Sequence, residues 1–500
     1  MDEDRIRRKS LLGKVVSSAE AALHIEDGMV VGLSGLGSGD AKVVPVAVAD
    51  RAANERLRIT LMTGASMNSD VDRRLTMAGA MARRMPFQAD PVLRAAINRG
   101  EVMYLDQHLS DTAEMLRSQQ IPPVDVAIIE AVAITEQGGI VPTTAVANAP
   151  TYALQAKKVI VELNLHHSLE LEGLHDVYIP AARPDRQAVP IFSPQDRIGL
   201  PYIPVDPARI AAIVVTDQAD STCVIQPPDQ ETKDIAGHLV DFFANEVKQG
   251  RLGPSLAPLQ AGIGSIGNDV LHGFVDSPFH DLVMYSEVLQ DSTFDLFDTG
   301  KLAFASGASI LLSNIGVAEF LPRIGRYRDR MILRPQEITN HPEVLRRLGV
   351  IAINTALEAD IYGNVNSTHV FGTGMMNGIG GSADFSRNAR IAVFITKSLA
   401  KDGRISSIVP MVSHVDHIDH DVDVLVTEQG LADLRGLAPR ERARTVIDNC
   451  VHPSYRDMAN DYFREAAKRG GHTPHLMEQA FGWHLAYQRE GTMQAGVMVC

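Results

Sequence analysis

Cysteine is scarce in this 500-residue chain: three residues, Cys223, Cys450 and Cys500. They form no CxxC pair and no evenly spaced framework, so a disulfide scaffold is excluded and a reducing, intracellular setting fits. Aromatic residues are few, at 5% with a single tryptophan, within an apolar content of 45% that is ordinary for an α/β enzyme. No run approaches the roughly 18 apolar residues a membrane span needs. A basic excess is missing too. Forty-seven Lys and Arg face 61 Asp and Glu, a net charge of −14, which argues against nucleic acid as the main partner. A small anion can still bind through backbone N–H groups and a few lysines. Arg5, Arg7, Arg8 and Lys9 are followed by no apolar segment, so a secretory signal is not expected. Asp2, Glu3 and Asp4 speak against a transit peptide, and a cytoplasmic protein is expected.

What is present is a steady alternation of strand-like and helix-like segments, which predicts α/β layers with largely parallel sheets. The length calls for two or more cores. Ser17 to Glu20 is a capping-box pattern opening a short helix. Strands are expected over 29–33, 57–62, 124–134, 158–163 and 210–215, with a helix over 42–53. Pro227-Pro228 breaks the rhythm, and a long amphipathic helix is expected over 229–249. The second half restarts with strands over 282–289, 308–312, 350–354, 391–396 and 422–427. Two polar helices, 453–470 and 473–491, are expected to wrap the surface or an oligomer interface. The two halves, 1–222 and 223–500, share a rhythm that suggests two related domains.

Glu287 interrupts Leu282 to Leu289, a run that otherwise reads as a half-buried strand. A carboxylate there costs free energy unless it is paired or used. On the strand pattern alone, a salt-bridged structural residue is the weightier reading. Upstream, Gly262-x-Gly264-x-x-Gly267 matches a dinucleotide-binding pattern. Its context is poor: Pro258 lies in the preceding segment, and no acidic residue ends a second strand about 20 residues on. The physical content holds for any ligand, because glycines let backbone come close and a helix start offers N–H groups to negative charge.

A second glycine cluster runs from Gly372 to Gly381 among Asn364, Asn366, Ser367, Thr368 and Asn377, and reads as a ligand loop. His414, His417 and His420, with Asp416, Asp419 and Asp421, have the look of a metal site. β-like flanks on both sides favour a polar loop instead, and no metal is expected. Glu428 ends the strand beyond, where α/β sheets place functional groups. Ser265 lacks the Gly-x-Ser-x-Gly spacing of a nucleophile elbow, so a serine hydrolase is not expected.

Tyr285 to Asp291, Gly262 to Ser265 and Met375 to Ser382 together resemble the acetyl-CoA hydrolase/transferase family of class I CoA-transferases. Ser413 to His417, Val426 to Gly436 and Cys450 to Pro453 extend the resemblance over nearly the whole chain. It implies two similar open α/β domains of the CoA-transferase type, with a second copy in a homodimer, an acyl-CoA and a small carboxylate as partners. Coenzyme A would be substrate and covalent intermediate, with no tightly bound cofactor. By resemblance Glu287 is the nucleophile and the N–H groups of Ile263 and Gly381 bind the oxyanion. Asn340 orients the carboxylate and Glu428 supports it. Gly262, Ile263, Gly264, Ser265, Ile266, Leu357, Asn377, Gly381 and Lys401 contact coenzyme A. Without the resemblance, Lys401 reads as a solvated turn residue.

Family members tend to carry arginine where this chain has Ser221, and a proline-containing loop where it has Gly37 to Asp40. A serine cannot bind a carboxylate or phosphate bidentately, which leaves acceptor preference open. Transfer of coenzyme A from a short acyl-CoA to a carboxylic acid is the expected function. Net acyl-CoA hydrolysis, a dinucleotide-dependent oxidoreductase and a non-catalytic CoA-binding scaffold are the alternatives.

Overall fold

The structure, a computed structural model, describes residues 4–65, 70–225 and 227–494. Cys500 lies outside them; Cys223 and Cys450 are free thiols. Two mixed sheets of eight strands each form the frame. In the first, the order is Met103–Tyr104, Met81–Met85, Ile59–Met62, Val30–Leu33, Val126–Ile134, Lys158–Asn164 and Ile210–Thr216, all parallel. Ile140–Pro142 turns back antiparallel on Val126–Ile134. In the second, the order is Met331–Leu333, Leu302–Gly307, Leu282–Tyr285, Leu259–Ala261, Ile351–Thr355, Ile391–Ile395 and Val424–Thr427, with Gly430–Asp433 antiparallel at the edge.

Counted along the chain, both sheets run fourth, third, second, first, fifth strand from one edge. The likeness of the two halves therefore lies in topology. In each, the order reverses between the first and fifth strands, and a ligand crevice belongs outside the strand C-termini at such a switch point. In the second sheet that point lies between Ala261 and Thr355.

The strands are buried on both faces, as parallel strands must be when helices cover them. Every residue of Val126–Ile134 is buried. The capping box forms as expected, with Ser17 Oγ accepting from Glu20 N and Glu20 Oε2 from Ser17 N. The long helix spans Gln230–Lys248, capped by Asp229, and buries Ile235, Leu239 and Phe243.

Four expectations need correction. The segment before the glycine turn is a strand, Leu259–Ala261, although Pro258 precedes it. Only three residues long, it is held because it sits between two strands, pairing with Met284 on one side and Ile351 to Ile353 on the other. The 282–289 run is not one strand: it breaks after Tyr285, and Val288–Leu289 pairs instead with Ser309–Ile310. The 308–312 run holds only the two-residue strand Ser309–Ile310, and the strand of the large sheet lies earlier, at Leu302–Gly307. The tail does more than lie on the surface. Pro453–Arg469 and Gly482–Glu490 bury Tyr455, Phe463 and Trp483 in a core with Tyr362, Phe394 and Leu425. Among the described residues no helix is long and apolar enough to cross a membrane.

Candidate active site

Glu287 stands at the break in the 282–289 run. Ser286 N–H donates to Ser306 O (2.9 Å) and Ala308 N–H to Glu287 O (2.7 Å), so the backbone stays paired while the chain leaves the sheet. The residue is only 8% exposed. Its Oε1 accepts from Gln336 Nε2 (3.2 Å) and Asn340 Nδ2 (3.3 Å). The charged neighbour that acts on it is Asp384, not a cation. This removes the reading as a salt-bridged structural residue. Burial first, and Asp384 second, push the Glu287 carboxyl up from 4.5 to about 8; the two amide hydrogen bonds pull the other way.

Asn340 binds two carboxyl groups at once, since the same Nδ2 donates to Asp384 Oδ2 at 3.1 Å. Ser110 fixes Asp384 from the first half of the chain, through its N–H (3.0 Å) and hydroxyl (2.6 Å). Burial raises Asp384 to about 6. Two carboxyl groups sharing one amide in a buried place cannot both ionise cheaply.

The glycine turn follows Leu259–Ala261. Gly262 N–H is taken by Ile353 O (2.8 Å) and Gly264 N–H by Gln290 Oε1 (3.0 Å). Gly264 has φ +115°, which favours glycine, and opens the helix Ser265–His272. Among the described residues, the Ile263 and Gly381 N–H groups have no acceptor. Both residues line the cleft that ends on Glu287. Gly381 has an ordinary φ of −87°, so backbone freedom is not why a glycine stands there.

The second glycine cluster is an ordered loop held by the other half of the protein. Gln88 Nε2 (3.1 Å) and Tyr104 hydroxyl (3.0 Å) donate to Asn377 O. Asp106 accepts from Ile379 N–H at 3.0 and 3.1 Å. A Cβ on Gly378 would lie 2.4 Å from the Tyr104 hydroxyl, so that glycine is required by close approach. Ala65, Phe87 and Leu109 add an apolar wall from the first half to a cleft of about 140 Å³. The cleft is thus built at the switch point of the second sheet and closed by the first half.

The expected site residues divide in two. Glu287, Gly262, Ile263, Asn377 and Gly381 line the cleft, and Asn340 touches Glu287. Ser265 turns its hydroxyl to Val224 O, and Ile266 packs on the core. Leu357 and Lys401 are exposed beyond the cleft, Lys401 in a turn at φ +53°. Glu428 does not support Glu287: its carboxylate is taken by Ser398 N–H (2.8 Å), the Ser398 hydroxyl and Gln429. It ends a strand four places away from that of Glu287 in the sheet. Ser221 lies in a separate cavity beside Asp40 and Lys42. His414, His417 and His420 do not share a face. His417 is buried against Phe394 and bonded to Ser382, whereas His420 is exposed. Gln336, Asp384, Ser110, Tyr104 and Asp106 were not anticipated.

A buried carboxyl thus lies at the switch point of a largely parallel sheet, beside two N–H groups that lack acceptors among the described residues. Residues 1–215 match the acetyl-CoA hydrolase/transferase N-terminal domain and residues 316–463 its C-terminal domain. The chain belongs to the acetyl-CoA hydrolase/transferase family. It is 49% identical to succinyl-CoA:acetate CoA-transferase of Clostridium kluyveri, over 98% of this chain and 92% of that one. It is 44% identical to acetyl-CoA hydrolase of Schizosaccharomyces pombe, over 98% of each. RipA of Yersinia pestis shares the fold, with a TM-score of 0.72 at 20% identity, covering 92% of this chain and 98% of that one.

Proposed function

We propose that this chain transfers coenzyme A from a short acyl-CoA to a small carboxylate through a thioester on Glu287. The observation that carries the reading is a buried Glu287 carboxyl that, among the described residues, has no cation beside it, in a cleft lined by two N–H donors without acceptors among those residues. A Glu287 oxygen attacks the thioester carbonyl, and the carbonyl π pair moves to oxygen. That oxyanion is met by the Ile263 and Gly381 N–H groups; one such donor is typically worth about 3–4 kcal/mol. Collapse expels coenzyme A thiolate and leaves a mixed anhydride. The thiolate attacks the glutamyl carbonyl and releases the first carboxylate, giving glutamyl-CoA. The acceptor carboxylate attacks this thioester, and the same steps in reverse return acyl-CoA and free Glu287.

Desolvation makes the ionised carboxylate a stronger nucleophile at the cost of its population, about a tenth at pH 7 for a group titrating near 8. Lys401, exposed in a turn outside the cleft lining, is the cation offered to the nucleotide end of coenzyme A. Residues 1–222 and 223–500 as the two domains, and a homodimer in the cytoplasm, complete the reading. An exchange assay with acetyl-CoA and labelled carboxylates tests it: label enters acyl-CoA faster than free thiol accumulates. Thiol release that is independent of added carboxylate refutes transfer.

A further inference from the structure

The histidine-rich segment contributes to a constellation that its linear spacing does not show. His369, from the hairpin that opens the second glycine cluster, meets His414 and Asp416. One potential ligand atom of each lies within 4.8 Å of the others. The two imidazoles are in contact, ring centres 3.8 Å apart, and His414 Nε2 is 3.3 Å from Asp416 Oδ1.

Two further observations point to a cation. The Asp416 side chain is only 4% exposed, and the basic group within ion-pair distance of it is His414 alone among the described residues. Its hydrogen bonds come from neutral donors, Ser367 N–H (2.6 Å) and the Thr368 hydroxyl (2.9 Å). A buried carboxylate without a full positive charge beside it is costly. The Thr368 hydroxyl also fixes the His369 tautomer. Its one proton goes to Asp416, so it accepts from His369 Nδ1, 2.7 Å away. The Nδ1 therefore carries the proton and Nε2 keeps its lone pair. A hydrogen bond on one ring nitrogen that frees the other is the usual preparation of a histidine ligand.

We propose that His369, His414 and Asp416 form a site for a divalent transition-metal ion of the zinc class. Two imidazoles and a carboxylate suit that class, and solvent is at hand for a fourth ligand, since both histidines are partly exposed. The ion ties the His369–Val370/Gly374–Met375 hairpin to the segment carrying His417, which bonds Ser382 next to Gly381. The site thus braces the loop that presents the Gly381 N–H, and takes no part in the bond-making steps.

The test uses the full chain, stripped with chelator and titrated with Zn²⁺ by calorimetry and with Co²⁺ by visible absorption. One ion per chain is expected, with the absorption of an imidazole-bound Co²⁺. His369→Ala and His414→Ala each weaken binding at least ten-fold, and His420→Ala leaves it unchanged. Asp416→Asn could disturb the Ser367–Thr368 turn, so the two histidine variants, folded by circular dichroism, decide the matter. No stoichiometric uptake, full binding by a His369→Ala/His414→Ala double variant, or loss of binding on His420→Ala overturns the proposal.

Discussion

Gly381 leaves no room for a side chain beside Glu287: a Cβ on it would fall 2.5 Å from Glu287 Oε2 and 2.6 Å from Asn340 Nδ2. The Glu287 carboxyl is held on its other oxygen by Gln336 and Asn340 and cannot swing away freely. Gly381→Ala therefore displaces the carboxyl and the adjacent N–H together. We expect kcat to fall by about 10²–10³, with the far-ultraviolet circular dichroism unchanged. Steady-state kinetics check this; near-normal turnover would place the oxyanion elsewhere.

Asp106 acts at a distance from the chemistry, by holding Ile379 N–H and so the loop bearing Gly381. Asp106→Ala frees that loop, and a shift of about 1 Å in a positioning element can cost about 10² in rate. The loss should fall on kcat more than on KM, and Asp106→Asn, which keeps a carbonyl acceptor, should recover part of it. An equal loss in both variants, or a change in KM alone, would count against the tether.

The Glu287 carboxyl titrates near 8 in the folded chain and near 4.5 when unfolded. Between these values the folded state holds a proton that the unfolded state has lost. Stability therefore falls as pH rises from 4.5 to 8, by up to about 1.4 kcal/mol per unit, and this group contributes no slope outside that window. Glu287→Gln removes the slope, so its gain in melting temperature over the parent should be larger at pH 8 than at pH 4.5. Activity has the opposite trend: kcat/KM should rise toward pH 8 as the nucleophile ionises.

Asn340 lowers the Glu287 titration point through its hydrogen bond and stands between Glu287 and Asp384. Asn340→Ala should move the alkaline-rising limb of kcat/KM to higher pH. Asn340→Asp, which puts a third carboxyl there, should move it further. A pH profile identical to the parent would show that Asn340 has no electrostatic hold on Glu287.

Much of the frame is legible in the chain because parallel strands buried on both faces read as apolar runs; Lys158–Asn164 and Ile391–Ile395 stand where such runs place them. Met81–Met85 does not read that way, because it carries Arg84, whose charge is answered only in three dimensions by Asp72. Leu259–Ala261 is a strand by virtue of its neighbours alone. At the site, Glu287 and the two glycine segments are visible as local oddities: a carboxyl in an apolar run, and backbone without side chains. Gln336, Asp384, Tyr104 and Asp106 are not, since each is an ordinary polar residue whose partner lies 49 to 273 positions away or is reached through a shared amide. The same limit hid His369 from the histidine-rich segment.

The central claim is that Glu287 itself carries coenzyme A, and trapping the intermediate tests it most directly. The protein is incubated with acetyl-CoA or succinyl-CoA, treated with borohydride, digested and analysed by peptide mass. Reduction of the thioester leaves a hydroxyl in place of the side-chain carboxyl, and the account places that change at Glu287 and in the parent only. An unmodified Glu287 peptide after incubation with every acyl-CoA that turns over would contradict it.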